Sequence, residues 1–299
     1  ASSAVVIGAG LIGLEAAVAF IERGLETTVV ELLPQILPAM LDPDMARLVQ
    51  RSLEDKGMKI MVGRGVEEIL GNNRVSGVLV GGEKIPADIV LVATGVRPNT
   101  QLAKDAGIAI GETRGIKTNM KMETSVKDVY AAGDCAESVS LITNRPILSQ
   151  LGTTAVRQAK VAGTNAAGGY AVFPGCLGSA VTRLFDVEIG ATGLTEHMAG
   201  RYGMKVISGS ITSKTRADYY PGGKPIRIKI LVEPNTHRIV GAQIVGGEEV
   251  TQRINALSIA MQKQMTIEEL AKADTCYAPP VNETWEPMVL AAEIALRRL

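Results

Sequence analysis

The sequence is poor in the residues that metal and histidine chemistry require. It holds two histidines, and its three cysteines, Cys135, Cys176 and Cys276, are widely spaced, odd in number and outside any CxxC pattern. No metal site or disulfide framework is expected from such usage, which fits a reducing compartment, so the expected location is cytoplasmic. Long apolar runs are also missing. Apolar runs such as Ala4–Ile7 and Ile89–Ala93 fall far below the roughly 20 residues of a membrane span. No basic segment precedes a long apolar stretch near Ala1, so no signal peptide is expected. Net charge is absent as well, with 31 basic residues against 31 acidic ones. No global field would therefore draw the protein to nucleic acid or to an anionic membrane.

What is present organises 299 residues into about two domains' worth of core. Ala4–Ile7 reads as a buried strand. Leu11–Arg23 carries apolar residues at helical spacing, Gly24 stops that helix, and Thr27–Val30 forms the next strand. Asp42-Pro43 predicts an N-cap and first helical position for a helix reaching about Lys56. Short strands are expected around Met58–Val62, Val66–Leu70 and Val75–Val80, then Ile89–Ala93, giving a doubly wound α/β region with an inserted β-meander. Beyond Lys117 the pattern predicts one strand, Asp128–Ala132, a Gly-Asp turn opening a helix, and a helix from about Gly152 to Ala167. After a linker, strands are expected at Gly178–Leu184, Val187–Thr192 and Arg201–Ser208. A hairpin turning at "EPNTH" follows, with two helices after it; Thr266 and Glu269 form a capping-box pattern for the second.

Gly8, Gly10 and Gly13 form G-x-G-x-x-G between the first strand and helix, and Glu31 ends the second strand. Gly8 permits a tight turn, Gly10 lets a pyrophosphate approach the backbone, and Gly13 lets helix and strand pack closely. Unpaired N–H groups at the helix start, around Leu11 and Ile12, favour phosphate by roughly 0.3–1 kcal/mol per charge. The plain alternative is a glycine turn needed only for packing. Glu31 is expected to accept hydrogen bonds from an adenine-ribose diol. A 2′-phosphate beside it would meet repulsion of about 4 kcal/mol at ~4 Å and an effective dielectric near 20, and residues 32–40 contain no Arg or Lys. The reading is NAD(H) rather than NADP(H).

Three motifs then stand in order: "VVIGAGLIGLE", "ADIVLVATGVRPN" and "VYAAGDCAE". Together they resemble the FAD-dependent pyridine nucleotide-disulfide oxidoreductases, over almost the whole chain. The resemblance implies an α/β fold with a Rossmann-like NAD(H)-binding domain at residues 1–114. It further implies the C-terminal part of a split FAD-binding domain at 115–170, and an α+β dimerisation domain at 171–299 that forms a homodimer. It makes Asp134 a flavin-ribityl ligand, with Gly133 allowing close approach; the plain alternative for Asp134 is a helix N-cap. The helix start at Leu151, Gly152, Thr153 and Thr154 would aim its N–H groups at the flavin edge where negative charge develops. Glu15 would lie near the nicotinamide, and Thr94 and Gly95 would line the same crevice.

"RADYYPGG" and "CYAPPVNETWEP" are similar to segments of the coenzyme A disulfide reductase, NADH oxidase and polysulfide reductase branch. There Tyr219, Tyr220 and Tyr277 would approach the partner's thiol or disulfide site, Tyr219 toward substrate and Tyr220 and Tyr277 toward catalysis. As interface packing residues they would serve equally well. The family's N-terminal flavin half, with a second glycine loop and a redox cysteine, has no counterpart here. None of the three cysteines matches that cysteine's motif, and each reads as a small inert residue. The expectation is the C-terminal part of a longer enzyme that passes hydride from NADH to FAD and on to a disulfide, CoA-disulfide, polysulfide or dioxygen. The alternative is a flavin-less, NADH-binding dimerisation module without turnover.

Overall fold

In the computed structural model, which describes residues 1–299, the chain forms two compact units: residues 1–95 with 181–299, and residues 96–180. Strand β1 (Ser3–Ile7) buries Ala4, Val5 and Val6 on both faces, as a central parallel strand must. It leads to α1 (Leu11–Glu22), which turns Leu14, Ala17 and Val18 inward. Gly24, at positive φ, reverses the chain into β2 (Glu26–Glu31). Helix α2 (Pro43–Asp55) starts at Asp42-Pro43, as the sequence predicts, and feeds β3 (Lys59–Val62). Strands β4 (Val66–Gly71), β5 (Val75–Val80) and β6 (Glu83–Pro86) form an antiparallel meander, and β7 (Ile89–Val92) returns to the parallel sheet. That sheet has the order β3-β2-β1-β7. Strand order reverses between β1 and β7, so their carboxyl ends border the crevice where such sheets bind ligands. The segment expected at Met58–Val62 thus belongs to the parallel sheet, paired with β2. The third meander strand, "EKIP", lacks apolar alternation and pairs because β5 offers it an open edge.

Residues 96–180 hold α3 (Gln101–Asp105), a short pair β8 (Ser138–Val139) and β9 (Pro146–Ile147), and α4 (Gly152–Ala166). Their core gathers Met122, Ala136, Ala162, Phe173 and Cys176. The strand expected at Asp128–Ala132 does not form. Its only ladder partner is the Asn119–Glu123 turn, where Met122 has φ 62°, so a single bridge, Glu123 to Tyr130, closes. No helix follows the Gly-Asp turn either; residues 134 and 135 remain a turn.

The remaining sheet contains β10 (Ala180–Leu184), β11 (Val187–Gly193), β12 (Ile207–Lys214), β13 (Pro225–Val232) and β14 (Ile239–Gly246), in the order β10-β11-β14-β13-β12. Between β11 and β12 lies α5 (Glu196–Arg201), so the strand that the sequence predicts from Arg201 starts only at Ile207. Thr195 caps that helix by accepting from the Met198 N–H, which favours a helical turn over an extended entry. Helices α6 (Val250–Gln262), α7 (Ile267–Ala271) and α8 (Pro287–Leu296) complete the unit. The capping box at Thr266 and Glu269 is present on α7. The sequence reading finds two of these helices and misses α8, whose run "PMVLAAEIAL" is apolar all round and so carries no helical stripe. It packs on β12 and β13. No helix is long and apolar enough to cross a membrane.

Helix α2 is fastened to the antiparallel sheet by charge. The Lys229 ammonium on β13 lies 3.1 Å from Asp42, 2.9 Å from Asp44 and 3.0 Å from Glu196. Gln243 on β14 donates to Asp42 at 2.7 Å and accepts from the Asp42 N–H at 2.7 Å. Asp42 and Lys229 are almost fully buried.

Candidate functional site

Register places the loop ends side by side. Ile7 pairs with Val92, so Gly8 and the Ala93–Gly95 turn leave the sheet together at the β1/β7 crevice. Gly8 has φ 106°, and a Cβ there would lie 2.4 Å from the Ala93 carbonyl oxygen. A Cβ on Gly13 would lie 2.0 Å from the Gly8 carbonyl oxygen. Both glycines are therefore demanded by the fold itself. Gly10 is different. Its φ of −79° suits any residue, and a Cβ would meet no protein atom within 4 Å. Neither backbone strain nor packing accounts for glycine here, whereas a ligand pressed against the loop does. Gly10 is also the N-cap of α1 without a side-chain cap or an acidic first turn. The N–H groups of Leu11 and Ile12 thus remain open to an anion. These features fit a dinucleotide pyrophosphate.

An expected result separates the glycines. Gly10→Ala should weaken NADH binding at least tenfold and lower the unfolding midpoint only by the small loss of a poorer N-cap, about 1 kcal/mol or less, whereas Gly8→Ala and Gly13→Ala should lower it much further. Calorimetric titration and urea unfolding of the three variants check this.

Glu31 ends β2 and is buried. Its Oε2 accepts from the Ala9 N–H at 2.7 Å and its Oε1 from the Leu33 N–H at 2.8 Å. The carboxylate thus braces the glycine loop, and each oxygen keeps a lone pair for a ribose hydroxyl. Leu32 and Leu33 beside it are exposed. Glu15 lies one helical turn beyond Leu11 on the same face of α1. It accepts a short hydrogen bond from the Thr182 hydroxyl on β10. Thr94 and Gly95 are exposed at the end of β7.

In the 96–180 unit, Gly133 takes φ 85° and its N–H donates to Gln158 Oε1 on α4 at 2.8 Å. Asp134 is exposed. Because no helix begins there, the N-cap explanation of Asp134 fails. Leu151, Gly152, Thr153 and Thr154 form the start of α4, which has no side-chain cap, so its first N–H groups are open. The Thr154 hydroxyl is already paired with Ser149 at 2.9 Å. Gln158 is 1% exposed, yet its Nε2 has no hydrogen-bond partner. A buried amide donor without an acceptor is costly. An orphaned donor behind the Gly-Asp turn and an uncapped helix start together fit an acceptor-rich group such as a flavin dinucleotide.

A third group gathers tyrosines. The hydroxyls of Tyr219 and Tyr277 hydrogen-bond to each other, and that bond, more than any desolvation or neighbouring charge, raises the Tyr219 pKa. Tyr220 lies in the same loop as Tyr219, and all three rings are exposed. The Tyr277 loop is held from below. Arg253 on α6 makes a buried two-pronged pair with Glu286, at 2.7 and 3.1 Å. Asn282 joins Glu286 to the Cys276 carbonyl. Sequence reading did not single out Thr182 or Gln158, because each owes its interest to a partner far along the chain. Only Thr182's place at an inward strand position offered a signal.

Residues 1–166 match the pyridine nucleotide-disulphide oxidoreductase family, and residues 179–289 match the family's dimerisation domain. An NADH oxidase of Methanocaldococcus jannaschii is 50% identical over 98% of this chain and 65% of its own length. A CoA-dependent NAD(P)H sulfur oxidoreductase of Pyrococcus furiosus is 38% identical over 97% of this chain and 65% of its own. The chain therefore spans about two-thirds, slightly under, of these curated relatives. The solved NAD-dependent persulfide reductase from A. fulgidus superposes with a TM-score of 0.97 at 42% identity, covering 99% of this chain and 56% of that one.

Proposed function

The chain belongs to the pyridine nucleotide-disulphide oxidoreductase family, and on that premise we propose that it serves as an NADH-dependent flavoprotein oxidoreductase. The observation that carries the reading is Gly10, the one glycine of its loop that the fold does not require. The loop and the N-terminus of α1 hold the NADH pyrophosphate, and Glu31 takes the adenine-ribose diol and repels a 2′-phosphate. Glu15, Thr94 and Gly95 line the nicotinamide end. Gly133, Asp134 and the first N–H groups of α4 hold FAD, which when bound supplies the step between NADH and a final acceptor. That acceptor is a small molecule: a disulfide, a CoA-disulfide, a polysulfide or dioxygen. Tyr219, Tyr220 and Tyr277 face it across a homodimer formed through residues 171–299, and the mutually hydrogen-bonded hydroxyls of Tyr219 and Tyr277 are suited to steady a sulfur or oxygen anion. The protein works in the cytoplasm, free of membrane and nucleic acid.

The visible spectrum of the purified chain tests this. The expected result is a flavin band near one per chain that NADH bleaches under anaerobic conditions. A colourless chain that binds NADH would favour the flavin-less dimerisation module instead.

A further inference from the structure

Strand β10 alternates strictly, with Val181 and Arg183 outward and Thr182 and Leu184 buried. The inward positions of such a strand belong to apolar side chains, and valine would fill the place of Thr182 equally well. A hydroxyl there costs free energy unless it is paired. Its partner is the Glu15 carboxylate, 167 positions earlier in the chain, whose Oε1 accepts a hydrogen bond from the Thr182 hydroxyl. Glu15 itself is on the solvent side of α1. It stands one turn, about 5.4 Å, above the Leu11 N–H that opens the helix. Left alone, an exposed glutamate samples several rotamers. Anchored by Thr182 at one oxygen, its carboxylate plane is set and Oε2 is left for a second donor.

We infer that Thr182 is a positioning residue for the nicotinamide: it holds the Glu15 carboxylate so that the other oxygen accepts from the carboxamide –NH₂ of NADH. The residue comes from the segment matched by the dimerisation domain, so that segment completes the cofactor site of the nucleotide segment within one chain. The inference rests on the reading of Glu15 as the nicotinamide-side residue. It adds to that reading a specific partner and a reason for the buried hydroxyl. The energetic logic is preorganisation, since an acceptor fixed before binding removes the ordering cost that an unheld glutamate would pay when the ligand arrives.

The test compares two ligands by isothermal titration, NADH and ADP-ribose, which share every contact except those to the nicotinamide ring. Wild-type protein should bind NADH more tightly than ADP-ribose. Thr182→Val should weaken NADH about tenfold and leave ADP-ribose unchanged, Glu15→Gln should behave alike, and Thr182→Ser should restore the wild-type ratio. ADP-ribose binding reports, in the same sample, that the nucleotide site is folded. Unchanged NADH affinity in Thr182→Val would overturn the inference. So would equal weakening of both ligands, which would make Thr182 a packing residue. Wild-type protein that binds both ligands equally would overturn the reading of Glu15 and this inference with it, whereas failure to bind either would overturn the dinucleotide reading itself.

Discussion

Lys229→Met is expected to lower the stability of the chain by about 3 kcal/mol, the low end of what breaking a buried ion pair costs. The low end applies because Asp44 and Glu196 keep 40% and 44% side-chain exposure and can recover hydration, whereas Asp42 keeps none. Methionine matches the lysine stem in volume but leaves the Asp42 carboxylate buried with only Gln243 and the Glu196 N–H, which donates at 2.9 Å. Urea unfolding should show the loss as a shifted midpoint at constant slope. The loss should also depend on pH. Burial alone would raise the Asp44 pKa, but the hydrogen bond and charge of Lys229 outweigh it and hold the carboxyl below its ordinary value. Burial likewise pulls Lys229 down, and Asp44, Asp42 and Glu196 outweigh it and push the amine up. A lowered carboxyl contributes stability above its unfolded value and loses it as pH falls through the folded one. A raised amine contributes below its unfolded value and loses it as pH rises through the folded one. The gap between wild type and Lys229→Met should therefore be widest between about pH 5 and pH 10 and narrow on both sides. A gap under about 1 kcal/mol at neutral pH would mean the cluster is no more than a surface ion pair.

Glu31→Gln is expected to weaken NADH about a hundredfold although it changes one atom. The two carboxylate oxygens accept from two backbone donors, Ala9 and Leu33. Glutamine can offer an oxygen to only one of them and turns its –NH₂ toward the other. One buried N–H is then unpaired, the glycine loop loses half of its brace, and the ribose loses an anionic acceptor. At about 1.5–3 kcal/mol for a hydrogen bond to a charged group, the sum of loop and ligand terms reaches about 3 kcal/mol, near a hundredfold in affinity. A paired variant goes further. Glu31→Ala with Leu32→Arg removes the repulsion and places a cation at an exposed position, so NADPH should bind more tightly than NADH. Titration of both cofactors against the three proteins decides it, and NADH affinity within threefold of wild type in Glu31→Gln would contradict the assigned role.

The nucleotide half was legible in the sequence because its signals are local. A strand, three glycines at fixed spacing, an apolar helical stripe and an acidic strand end all lie within thirty residues, and short-range sterics translate them directly. The Asp42-Pro43 start of α2 and the Thr266/Glu269 box were legible for the same reason. What escaped depends on partners distant in sequence. The strand expected around Met58–Val62 forms, but only its pairing with β2 shows which sheet it joins. Asp128–Ala132 reads as a strand but finds only one bridging residue, Glu123. Helix α8 has no periodicity because β12, β13 and α7 cover it on several sides. Within the candidate site the glycine motif gave both positions and the expected role of each glycine, and the space around Gly8, Gly10 and Gly13 agrees with those roles. The brace between the Ala9 N–H and Glu31 and the bond from the Thr182 hydroxyl to Glu15 required coordinates, since each is a contact across many residues.

The measurement closest to the central claim is a calorimetric titration of the chain with NADH and with NADPH under identical salt. The account predicts one NADH site per chain and NADPH binding at least tenfold weaker, with that difference abolished in Glu31→Ala. Absence of NADH binding, or equal affinity for the two cofactors, would contradict it.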